Sequence, residues 1–98
     1  MSETEIENEQ PLPPATFEFF VLSMKMQAEM HMGLLNFGDE KDRPKTDFRV
    51  ARHSIDLLAM FAEKTKGNLS MDEQRLIENS LTELRFRYVQ AMEAGKQP

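Results

Sequence analysis

The stretch from Phe17 to Leu35 constrains the fold more than any other, because as a helix it is apolar on two opposite sides. At 100° per residue, Phe17, Phe20, Val21, Met24, Ala28, Met32 and Leu35 form one stripe. Phe19, Leu22, Met26 and Met30 form a second, on the far side. Glu18, Lys25 and Glu29 make one polar seam between them, and Ser23 with Gln27 the other. A helix apolar on both sides must be buried on both. Charged and polar residues interrupt it too often for a membrane span.

Two further helices follow. The second starts near Thr46 or Asp47, either of which can cap it, and runs to about Lys66. Its apolar side is Ala51, Ser54, Ile55, Leu58, Phe61, Ala62 and Thr65. The third runs from Met71 to about Glu93, with Ile77, Ser80, Leu81, Leu84, Tyr88, Ala91 and Met92 as its stripe. Glu83 and Arg87 make an i,i+4 pair. The first helix begins after Thr16 and ends between Met32 and Phe37, where Gly33 interrupts it.

The join between the second and third helices is sharply written. Gly67 suits the left-handed residue that ends a helix, Asn68 tolerates the same conformation, and Ser70 with Glu73 is a capping box. A stop and a start so close predict an antiparallel hairpin. Thr65, on the apolar side, is expected to bond back to a carbonyl one turn earlier. The expected fold is therefore all-α: three helices, with an antiparallel hairpin of the second and third and a two-faced first helix.

Charge divides the chain. Of the net charge of -5, residues 1–14 carry -4 through Glu3, Glu5, Glu7 and Glu9. This proline-ended leader is expected to be disordered, as is a tail over residues 94–98, leaving one helical domain over residues 15–93. Four glutamates where a basic region would stand argue against a signal peptide, so the expected location is cytoplasmic.

Beside a three-helix core, the hairpin covers only one side of the first helix. Leaving Phe19, Leu22, Met26 and Met30 in water forgoes roughly 6–12 kcal/mol, comparable with the stability of a small domain. Association is the expected remedy, most simply a homodimer, with Phe86 and Val89 extending the interface. The competing arrangement is a monomer whose leader, or Leu34–Gly38, covers that side.

Candidate chemistry is sparse. With no Cys there is no disulfide, thiolate metal site or Cys nucleophile. Met24 and Met32 point away from Met26 and Met30, so the methionines do not converge on copper and are read as packing residues. His31 and His53 lack ligand-like partners on their own helices, although Asp56 lies one turn from His53. No phosphate loop, nucleophile elbow or paired-carboxylate cleft is present. No enzyme, cofactor or metal is expected. The leading expectation is a homo-oligomeric scaffold or adaptor that binds proteins through an adaptable methionine-rich face. The alternative is an RNA- or ribosome-associated accessory protein. It would use Arg43, Lys45, Arg49, Arg52, Lys64, Lys66, Arg75, Arg85 and Arg87, although Asp39, Glu40, Asp42 and Asp47 interleave with the first of these.

Ile55-Asp56-Leu57-Leu58, the run Glu63 to Ser70, Glu73, Leu84-Arg85 and Tyr88-Val89 together resemble a small bacterial family, domain of unknown function 1844. Phe17–Phe20 and Ala28–Gly33 look like the same family's opening. The resemblance covers about residues 15–92 and implies no activity. Within it, Lys64, Lys66 and Asn68 are either part of a fold signature or a partner-binding corner.

Overall fold

A computed structural model describes residues 11–34 and 45–95 of the chain. It contains three helices: α1 (Phe17–His31), α2 (Phe48–Thr65) and α3 (Met71–Gly95). No strand occurs among the described residues. The glutamates of the leader, the connector over residues 35–44 with Arg43, and residues 96–98 lie outside them. Among the described residues, no helix is long and apolar enough to cross a membrane.

Each helix end is explained by its local chemistry. Thr16 caps α1, its hydroxyl oxygen accepting from the Phe19 N–H at 3.0 Å, and Glu18 sits in the first turn where the helix dipole favours an acid. The sequence allows α1 to continue to Met32 or beyond, but Gly33 closes it earlier. With φ +81° at Gly33, the Gly33 N–H reaches Met30 O at 3.0 Å and the Leu34 N–H reaches Glu29 O at 3.1 Å. These two bonds make a Schellman end. The orphan carbonyl of His31 accepts from the Asp47 N–H at 2.8 Å, which ties the end of α1 to the start of α2.

Of the two possible caps for α2, Asp47 is the one used. Its Oδ1 accepts from the N–H groups of Arg49 (3.1 Å) and Val50 (3.2 Å). At the other end Thr65 Oγ1 donates to Phe61 O at 2.8 Å, as its sequence position suggests. Gly67 alone takes the left-handed conformation there, at φ +89°, and the tolerance of Asn68 for it is not used. The capping box closes both ways. The Glu73 N–H donates to Ser70 Oγ at 3.1 Å, and the Ser70 N–H donates to Glu73 Oε1 at 2.9 Å. Helix α3 continues to Gly95, two residues past the expected end, with Gly95 beside the Phe48 ring.

All three helices contact one another around a single core of Val21, Ala28, Met32, Ala51, Ile55, Leu58, Ile77, Leu81 and Leu84. Each comes from the stripe that helical periodicity assigned to it. Ser54 and Ser80 are buried among them, where their small size lets helices approach closely. Phe17 stacks on Phe61 with centroids 5.5 Å apart, which sets the start of α1 against the end of α2. Phe48 meets Tyr88 edge-on at 6.1 Å, so the start of α2 lies near the end of α3.

Candidate interaction surface

Helix α1 places its second stripe away from the core. Phe19, Leu22 and Met26 are 40%, 41% and 52% exposed, and Met30 is half-buried. With Ser23 and Gln27 they line an open hollow of about 590 Å³ to which α1 alone contributes side chains. Phe20, assigned by periodicity to the core stripe, is also largely exposed. It lies at the stripe's edge, where one side of its ring leans on Phe61 at 4.7 Å.

Phe86 and Val89 are the exposed large apolar residues in the second half of α3, but they face different flanks. Phe86 lines a hollow of about 570 Å³ with Leu34, Glu83, Arg87, Gln90, Ala91 and Ala94. Val89 lines a separate one of about 220 Å³ with residues of α2. The two are only about 60° apart around the helix, so it is the crest of α3 between them that divides one hollow from the other. Only Phe86 shares the α1 side.

What joins α1 to α3 is a set of four charges that sequence reasoning had seen only in halves. Lys25 Nζ pairs with Glu83, and Arg87 bridges Glu29 at 3.1 Å and Glu83 at 2.9 Å. Two of the three residues of that polar seam of α1, Lys25 and Glu29, thus make an interhelical contact. Its signal was present in the order of the charges: Lys then Glu four residues apart on α1, Glu then Arg four residues apart on α3. Helices running the same way bring unlike charges together at both levels.

The Lys25 ammonium, donating to Glu83, holds that carboxyl below its ordinary value of 4.5, with the charge of Arg87 assisting and partial burial opposing. A depressed folded-state pKa stabilises the protein above the unfolded-state value, and that contribution is lost as pH falls through the folded value. Glu83→Gln is therefore expected to be less stable than wild type at neutral pH, with the gap closing on acidification below about pH 4.5. Because these side chains are partly solvated, the gap stays under about 1 kcal/mol. Urea titrations at several pH values measure it; a gap that does not narrow contradicts the assignment.

The remaining candidates are scattered. Lys64, Lys66 and Asn68 are all exposed at the turn between α2 and α3. Lys45, Arg49 and Arg52 are exposed at the start of α2, where Asp47 stands among them as the cap. Met32 is buried while Met26 is exposed, so the methionines do face opposite ways. Among the described residues, no group of three or more His, Cys, Asp or Glu side chains is placed to hold a metal ion. His53 is exposed, and His31 Nδ1 is buried without a hydrogen-bond partner among the described residues.

No curated protein and no solved structure matches the chain. The model of the family described as Domain of unknown function (DUF1844) matches residues 14–90. That match takes in all of α1 and α2 and most of α3, and the chain belongs to this family.

Proposed function

We propose that the protein is a non-enzymatic helical scaffold or adaptor that works by binding proteins, beginning with a second copy of itself. In this reading α2 and α3 form an antiparallel hairpin behind α1. The short capped turn and the Phe48–Tyr88 contact support it. The observation that carries the proposal is the open stripe of Phe19, Leu22, Met26 and Met30.

Its energetics are those of a weak twofold contact. Phe19, Leu22 and Met26 are already about half covered by their own chain. What remains to be gained is therefore about 2–4 kcal/mol per copy, well below the value for full burial. A twofold axis doubles this to about 4–8 kcal/mol, set against an association cost of about 4–15 kcal/mol. Phe86, 63% exposed on the same side, adds to the favourable part. The gain exceeds the cost only at the upper end of the first range and the lower end of the second, which corresponds to a weak dimer that forms at high concentration and dissociates on dilution. Light scattering over a concentration series is expected to show twice the 11.4 kDa chain mass at the upper end, falling on dilution. A single-chain mass throughout overturns the proposal.

A further inference from the structure

The hollow between α2 and α3 lies on a different flank from the α1 stripe and has a different chemistry. Ile55, Tyr88 and Val89 form its apolar floor, and Arg52, Asp56 and Arg85 stand around it. Both arginines are exposed and form no ion pair among the described residues, in contrast to Arg87 on the opposite shoulder of α3. Lys45 and Arg49 add positive charge at the same end of α2. An apolar strip between unpaired arginines fits an acidic segment with one aliphatic anchor.

The chain itself contains such a segment. Glu3, Glu5, Glu7 and Glu9 alternate with other residues around Ile6, with no basic residue among them. We propose that residues 3–9 dock in cis on the α2–α3 hollow, with Ile6 against Val89 and Tyr88 and the glutamates beside Arg52 and Arg85. The connection is long enough. Phe17 is fixed against Phe61, six residues and so about 9 Å along α2 from Ile55. The ten residues from Ile6 to Thr16 span up to about 33 Å, enough to pass round a helix about 10 Å thick. A short tether also supplies a millimolar-range effective concentration, so weak contacts suffice. The Lys64–Asn68 turn is closer to the start of α1, but Glu63, Asp72 and Glu73 offset its lysines.

The chain has no cysteine, so Asn8→Cys gives one attachment point for a spin label while keeping Ile6 and all four glutamates. Isotope-labelled protein carrying the spin label is diluted into excess unlabelled wild type, leaving only effects within one chain. The expected result at low salt is selective broadening of amide signals from residues 52–56 and 85–89. High salt, or Arg52→Ala with Arg85→Ala in the same chain, removes it. Broadening centred on the Lys64–Asn68 turn, broadening along Phe19–Met30, or none at all each overturns the proposal. The second of these also removes the free face needed for self-association, whereas the first and third leave it intact.

Discussion

Leu84→Ala is expected to lose about 2–5 kcal/mol of stability, the largest effect of any single truncation considered. Leu84 is fully buried, and it sits in α3 where that helix meets both neighbours in one core. Removing three heavy atoms there takes away their transfer free energy and leaves a cavity that three packed helices cannot readily close. A domain of this size has only about 5–15 kcal/mol in total, so the variant stands near the edge of folding. Leu57→Ala is the matched comparison: the same chemistry on α2, at a residue 38% exposed, with an expected cost below about 1 kcal/mol. Urea denaturation followed by circular dichroism measures both. Equal losses for the two variants contradict the assignment of Leu84 to the core.

The residues behind that contrast were readable before any coordinates. Ile77, Leu81 and Leu84, like Ala51, Ile55 and Leu58, recur at helical spacing, and a helix that packs on one side only must bury that side. The capping box was equally legible, since Ser70 and Glu73 need only their own backbone to be satisfied. What a single-helix pattern does not contain is the relation between helices. Lys25 and Glu29 look like a solvated seam until α3 is set beside them, and only then do Glu83 and Arg87 become their partners. The separation of Phe86 from Val89 was hidden for the same reason, since both lie off the stripe but only their neighbours show that they line different hollows. The energy of the α1 face was also overestimated from sequence, because a side chain lying along its own helix is partly covered by that helix. Three aromatic or aliphatic groups at 40–52% exposure represent about half the stake that full exposure implied.

That smaller stake sharpens the expectation for Leu22→Glu combined with Met26→Glu. Both positions are about half exposed, so the new carboxylates reach water in a single chain and leave Val21, Ala28 and Met32 undisturbed. Glutamate is also a good helix former, which leaves α1 intact. The fold is therefore expected to lose less than about 1 kcal/mol, as for most exposed substitutions. In a twofold dimer the same pair places four carboxylates in an apolar contact, with like charges facing across the axis. Burying even one unpaired charge costs several kcal/mol, which exceeds the surplus left after association costs. The expected outcome is a folded monomer: a helical circular dichroism spectrum and cooperative unfolding, with the single-chain mass at every concentration. A variant that still shows twice the chain mass assigns self-association to another surface, with the exposed Phe20 and Met60 the next to substitute.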